Sequence, residues 1–261
     1  MSSSNTDTKH ISPSQIKTYL SCGRKYKYKY VEGLKPEKVS FALPFGRAFH
    51  QVVADINLYR KKHQSLEQVD VSGLFKETFE REIETSETPV EFNKDEDPLS
   101  LVSYADKMLR LYTDHIRQMN TEVIAVEHEI VYPIQGTDYV FTGIVDSIEK
   151  DVSGICVVEL KTAEKMWSDT TVDYDLQGPL YKKALMPIYP NQPIQVRYDI
   201  VTRGKNPKVQ SKFADTNTHI RLQDILREII YGIERNVFTP RPGYTCNACD
   251  YKNICMEASH G

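Results

Sequence analysis

Apolar positions recur along this chain with two different periods. Ile16, Tyr19 and Leu20 share one helical face, behind Ser12 as a cap and Pro13 at the first helical position. The stretch Tyr26 to Tyr30 alternates tyrosine with lysine, which suits a strand by period and a continued helix equally well. Pro44 to His63 reads as a helix with Phe45, Phe49, Val52, Val53 and Ile56 as its apolar side, and Val71 to Ile83 as a second. Glu84 to Asp97 is acidic, contains Pro89 and reads as a loop; Asp97-Pro98 then opens a long helix reaching about Met119. After Thr121 the period changes. Val123 to Ile134, Tyr139 to Ile148 and Ile155 to Leu160 are strand-like runs, separated by turns at Gly136-Thr137-Asp138 and Ser153-Gly154. Asp173 to Ile188 reads as a helix that Pro179 kinks. Ile194 to Thr202 is a fourth strand, Val209 to Phe213 a short further one, and Leu222 to Arg235 a closing helix. Pro240 to Cys255 is rich in proline, glycine and cysteine and has little periodicity. The expected fold is therefore a mixed α/β core wrapped by helices.

Composition narrows this picture only a little. The 261 residues are 40% hydrophobic and 26% charged, as in an ordinary globular protein, and no apolar run is long enough to span a membrane. Met1 to Thr8 is polar and reads as a frayed tail without the features of a targeting peptide. The net charge is −3, so any binding of nucleic acid requires a local positive patch. One exists between Arg24 and Lys38, where six bases face two acids. Five cysteines, an odd count, argue against a disulfide scaffold. They favour a reducing, cytoplasmic setting and ligation of a metal or cluster.

The strand Ile155 to Lys161 carries the main chemical signal. Glu159 and Lys161 are two apart and leave the same face of a run that is otherwise apolar. The preceding strand ends in Asp146, which meets Glu159 if the two strands form a hairpin. Two adjoining carboxylates are costly unless a cation compensates, and Mg²⁺ or Mn²⁺ is the natural hard ion. A lysine beside them can orient a water or stabilise developing negative charge.

Gly143-Ile-Val-Asp146, then Glu159-Leu-Lys161, then Gln177 and Tyr181 four apart on the following helix resemble the PD-(D/E)XK nuclease superfamily, and within it the RecB-like exonuclease branch. Gly46-Arg-Ala-Phe-His50 is similar to that branch's Gly-x-x-x-His element. The resemblance implies a restriction-endonuclease-like fold and DNA as substrate, as single strands or ends. It implies that His50, Asp146 and Glu159 ligate Mg²⁺ or Mn²⁺ with the Leu160 carbonyl. Lys161 would position the nucleophilic water, and Gln177 and Tyr181 would hold the lysine or the DNA backbone. The implied division is a tail over 1–11, a helical region over 12–120, a nuclease core over 121–239 and a Cys-rich segment over 240–261.

Cys246-Asn-Ala-Cys249 and Cys255 make three close ligands that need a fourth. Spacing alone leaves zinc and an iron–sulfur cluster open. The run from Ser12 to Cys22 is similar to the opening of AddB-type and CRISPR-associated RecB-like nucleases. That resemblance implies that Cys22 joins the other three around a 4Fe-4S cluster, and that a helicase or an integrase is a partner. Cys156, inside an apolar strand, reads as core. For nucleic acid, Arg24, Lys25, Lys27 and Lys29 can track phosphates while Tyr28 stacks on bases; equally, the tyrosines are core and the lysines solvated. Trp167, after the third strand, is either a further stacking residue or buried. Two rival functions remain, a non-catalytic DNA-binding subunit and a metal-dependent RNA nuclease.

Overall fold

Ser12 and Asp97 start helices as their side-chain chemistry directs. In the computed structural model, which describes residues 8–63, 71–93, 96–216 and 221–257, both caps are formed. The Ser12 hydroxyl accepts from the Gln15 amide at 3.3 Å, and the Gln15 side chain accepts from the Ser12 amide at 2.8 Å, a reciprocal capping box. The Asp97 carboxylate accepts from the amides of Leu99 at 2.9 Å and Ser100 at 3.0 Å.

In chain order the elements are β1 (Lys9–Ile11), α1 (Pro13–Ser21), α2 (Gly23–Tyr26), a π-helical turn (Lys27–Val31), β2 (Val39–Ser40), α3 (Ala42–His63), α4 (Val71–Glu84), β3 (Val90–Glu91) and α5 (Pro98–Arg117). There follow β4 (Glu122–Pro133), β5 (Tyr139–Asp151), β6 (Gly154–Ala163), α6 (Asp169–Asp173), α7 (Gln177–Leu185), β7 (Ile194–Thr202), β8 (Val209–Phe213), α8 (Leu222–Glu234), a 3₁₀ turn (Tyr244–Ala248) and α9 (Lys252–Glu257). The mixed α/β class expected from the sequence is observed. The chain divides into two units that are discontinuous in sequence. Residues 39–129 and 144–219 make one; residues 1–38, 130–143 and 220–261 make the other.

The larger unit holds β6, β7 and β8 of the sheet and the part of β5 from Ile144 on. β6 runs antiparallel to β5, with Ser147 opposite Val158, and parallel to β7, with Glu159 opposite Tyr198; β8 closes antiparallel on β7. Antiparallel β5–β6 needs only the turn at Ser153-Gly154. Parallel β6–β7 needs a crossover, which α6 and α7 supply. Helices α3, α4 and α5 bury Phe45, Phe49, Phe75, Phe79, Leu101 and Met108 in a core that Leu160 and Val201 of the sheet also enter. Alternation then puts Glu159 and Lys161 on the opposite face of β6 from Leu160. A buried charged network ties the elements together. Glu149 binds Arg60 at 3.0 Å and Arg197 at 2.9 Å, Arg197 binds Asp199 at 2.9 Å, and the Tyr112 hydroxyl donates to Asp199 at 3.1 Å. Arg60 lies on α3, the helix that carries His50.

The smaller unit is an aromatic cluster with a strapped tail. Tyr26 stacks on Phe238 with centroids 6.0 Å apart and meets Tyr19 edge-on at 5.4 Å. Gly23 has no room for a side chain, since a Cβ there would come to 2.8 Å from the Thr239 nitrogen. The segment after Gly243 is held by Lys25 to Asp250 at 3.0 Å, by the Tyr251 hydroxyl donating to the Leu34 carbonyl at 2.9 Å, and by Asn253 to Glu37 at 2.9 Å.

Several local expectations change. The tail expected over 1–11 ends in strand, because Lys9–Ile11 pairs in parallel with Tyr139–Phe141; Met1 to Asp7 lie outside the described residues. Tyr26 to Tyr30, which the period left open between strand and helix, is helical. Within the expected loop 84–97, Val90–Glu91 pairs in parallel with Val39–Ser40, while residues 94–95 lie outside the described ones. The helix expected over 173–188 is the shorter α7, with the separate α6 ahead of it, and Pro179 falls in the first turn of α7, where its missing amide is tolerated. Among the described residues no helix is long and apolar enough to cross a membrane.

Candidate active site

The β5–β6 hairpin brings two acids together. Its register, Ser147 opposite Val158, puts Asp146 level with Glu159 one step further on. There the Asp146 side chain takes over from the ladder, its Oδ2 accepting from the Leu160 amide at 2.7 Å. Leu160 thus contributes its backbone, while its side chain is core. From α3, His50 Nδ1 lies 3.0 Å from Asp146 Oδ1.

Glu159, only 4% exposed, is the centre of a second set of bonds. Its Oε1 accepts from Lys161 Nζ at 2.6 Å and from Gln177 Nε2 at 2.8 Å. Gln177 uses both ends of its amide. Its Oε1 accepts from Lys161 at 2.9 Å, and its Nε2 also donates to the Tyr181 hydroxyl at 2.7 Å. Tyr181 donates in turn to the Ile144 carbonyl at 2.8 Å. The i, i+4 spacing on α7 accounts for the shared face of Gln177 and Tyr181.

The electrostatics follow from this crowding. Burial pushes the Glu159 carboxyl up to about 7; the Lys161 ammonium opposes the rise and the Asp146 charge adds to it. Burial alone would lower the Lys161 ammonium, but the Glu159 and Asp146 carboxylates outweigh it, and its pKa rises. Lys161 is therefore charged at neutral pH. For His50, burial acts downward and is overcome by the bond to Asp146, so the imidazole is also raised.

Two carboxylates and an imidazole are the right donors for a hard divalent cation. One atom of the set is unsatisfied: Glu159 Oε2 is buried without a hydrogen-bond partner. An orphaned carboxylate oxygen is costly, and a cation would supply what it lacks. The residues therefore fit such an ion. Their side chains are engaged with each other, however, and among the described residues no three His, Cys, Asp or Glu groups already converge on one point. That holds for the cysteines too. None of the five is in a disulfide, and Cys22, at the end of α1, and Cys255 both lie within electrostatic reach of Arg24.

The residues expected to touch nucleic acid fare differently. Tyr28 is only 5% exposed and packs on Tyr251, with ring centroids 6.0 Å apart, so it has no free face for a base; its expected stacking role is withdrawn. Lys25 is paired with Asp250, and Lys27 with Glu32 at 2.8 Å. Lys29 is exposed and Arg24 partly so. Trp167 is half-buried, with its ring 5.9 Å from Tyr198 and 5.9 Å from Lys161 Nζ.

Three residues join the site that sequence reasoning missed. Glu127 on β4 has its carboxyl raised first by desolvation and then by the Asp146 charge, with His50 opposing. Its backbone is left-handed, with φ 47°, unusual for a residue with a side chain. β4 also carries Glu122 and Glu129, so an acid there does not stand out from a solvated strand face. Asp175 and Tyr198 lie beneath the start of α7 and have no motif to announce them. The Tyr198 hydroxyl donates to Asp175 Oδ1 at 2.9 Å.

Comparison with known proteins bears on this arrangement. The family model of the PD-(D/E)XK nuclease superfamily matches residues 10–256. The crystal structure of a candidate exonuclease from Eubacterium rectale superposes with a TM-score of 0.56 at 15% identity, covering 96% of this chain and 92% of that one, which shows a shared fold. The structure of SSO0001 is 14% identical over 93% of this chain and 94% of that one, and its TM-score of 0.37 carries no argument. No curated protein sequence matches significantly.

Proposed function

The chain belongs to the PD-(D/E)XK nuclease superfamily, and from that premise we propose that it is a metal-dependent DNA nuclease of the RecB-like kind, acting on single strands or ends. One observation carries the reading. The Lys161 ammonium is held between Glu159 at 2.6 Å and Gln177 at 2.9 Å, on the sheet face where Asp146 meets Glu159.

In this proposal His50, Asp146, Glu159 and the Leu160 carbonyl hold Mg²⁺ or Mn²⁺. When bound, such an ion supplies positive charge to the reacting phosphate. Lys161 stays protonated and directs its one remaining donor at a water or a phosphate oxygen. Gln177 fixes the lysine, and Tyr181 fixes Gln177 against the Ile144 carbonyl. Asp146 keeps the His50 ring oriented. Trp167 is proposed as a contact for a substrate base, supported by its 5.9 Å separation from Lys161 Nζ. Arg24 and Lys29 are proposed to contact phosphates.

We extend the proposal to the cysteines. Cys22, Cys246, Cys249 and Cys255 would hold a 4Fe-4S cluster, with Zn²⁺ as the alternative. The straps from Lys25, Leu34 and Glu37 to the 250–253 segment support it, because they bring the two cysteine-bearing stretches to the same unit.

The test is hydrolysis of end-labelled single-stranded DNA, duplex DNA and RNA, each with Mn²⁺, Mg²⁺ or chelator. Cleavage of the single strand that chelator abolishes is expected. Cation-independent cleavage, or cleavage of RNA alone, would overturn the reading.

A further inference from the structure

Resting on the nuclease reading, we infer that Tyr198 and Asp175 are positioning residues: together they seat the first turn of α7 and so set the reach of Gln177 to Lys161. Asp175 Oδ1 accepts two hydrogen bonds, from the Gln177 backbone amide at 2.9 Å and from the Tyr198 hydroxyl at 2.9 Å. The Tyr198 oxygen accepts the next amide, that of Gly178, at 3.0 Å. These are the opening amides of α7, donors that no turn of their own helix satisfies. The residue at the cap position, Leu176, supplies no side-chain bond. Asp175 and Tyr198 do that work.

Tyr198 is the right anchor because of where it sits. It is fully buried on β7 and paired in register with Glu159 on β6. One rigid pair of strands therefore carries both the carboxylate that Lys161 binds and the hydroxyl on which α7 rests. The approach is close. A Cβ on Gly178 would come to 2.9 Å from the Tyr198 oxygen and 2.9 Å from Val196, so only glycine lets the helix sit here. Burial, with the Asp175 charge added, raises the Tyr198 phenol far above its ordinary value, so its proton stays in place and the direction of the chain of bonds is fixed.

The consequence falls on Gln177. Its amide oxygen must meet Lys161 while its nitrogen meets Glu159 and Tyr181. A small rotation of the first turn loses both, and with them the lysine's orientation. Misplacement of this kind lowers turnover more than binding.

The experiment compares wild-type protein with Tyr198→Phe, Asp175→Ala, Asp175→Asn and the Tyr198→Phe/Asp175→Ala double variant. Phenylalanine keeps the ring that packs on Trp167 and removes only the hydroxyl. The first readout is amide deuterium exchange without substrate or added cation. The second is kcat and KM on a single-stranded oligonucleotide with Mn²⁺. Tyr198→Phe and Asp175→Ala each remove two of these hydrogen bonds, one of them to an opening amide of α7, and are expected to exchange about tenfold faster at the amides of residues 177, 178 and 180 only. Each is expected to lower kcat about tenfold with KM within about twofold, and the double variant to be no worse than the poorer single. Asp175→Asn, whose amide oxygen still accepts, is expected to stay near wild type. Unchanged exchange and kcat in Tyr198→Phe, or loss of protection spread over the whole chain, would overturn the inference. If wild-type protein cleaves nothing, the nuclease reading fails, and the exchange pattern still decides the positioning role.

Discussion

At the scale of single residues, Glu159 has the most to tell. Its carboxyl is raised from the ordinary 4.5 to about 7, first by burial. Without a cation, the folded chain thus holds a proton that the unfolded chain releases between those two values, and stability falls as pH rises through that window. A cation competes with the same proton, so Mn²⁺ affinity should rise as pH increases from 6 to 8. Titration calorimetry at three pH values measures this, with Glu159→Gln expected to weaken binding and to reduce the dependence to the part that His50, whose imidazole is also raised, contributes; affinity that is flat across the range in the wild type would contradict it. Glu159 and Lys161 were legible in the sequence because a charged pair on one face of an apolar strand breaks the strand's own pattern. Asp146 was legible once a hairpin was supposed. Glu127, Asp175 and Tyr198 were not. An acid on a strand rich in acids, an acid before a helix and a tyrosine in an apolar strand each have an ordinary explanation until the fold brings them to the site.

At the scale of elements, the two periods located most helices and strands, and what they left open or missed shares a cause. Tyr26 to Tyr30 alternates like a strand, yet Tyr26 and Tyr28 are buried on successive sides of a helical and π-helical turn, one against Phe238 and one against Tyr251. Local period could not announce those distant partners. β1, β2 and β3 are likewise made by partners far along the chain. Within the larger unit, Arg197 joins Glu149 and Asp199 in a network with almost no exposure. Its charges balance: Arg60 and Arg197 against Glu149 and Asp199. Burial acts to raise the Glu149 carboxyl, but the two arginines outweigh it and hold the pKa below the usual range. Arg197→Met leaves buried carboxylates uncompensated and is expected to cost about 3–5 kcal/mol in urea unfolding. A loss below about 1 kcal/mol, the range of a surface pair, would show the network to be dispensable.

At the scale of the whole molecule, the proposal for the smaller unit turns on its cysteines. The segment after Gly243 contributes only Tyr251 to the buried set among its described residues, and its other anchors are polar. Ligation would supply the stability that packing does not. Anaerobically purified protein is expected to be brown and to contain iron, and Cys22→Ala to lose both colour and thermal stability; a colourless protein containing zinc would replace the cluster with the metal. The sequence suggested the four cysteines as a set, and the fold gathers their two stretches into one unit without bringing the sulfurs to a point. The larger unit makes the claim on chemistry, and Lys161 is its centre. The most direct test is to measure Mn²⁺ binding and cleavage of end-labelled single-stranded DNA side by side in wild type and Lys161→Ala. The account predicts that the variant still binds Mn²⁺ while cleavage falls about 10²–10³-fold, the loss of one charged group from a reacting centre. Equal cleavage by the two proteins would contradict it.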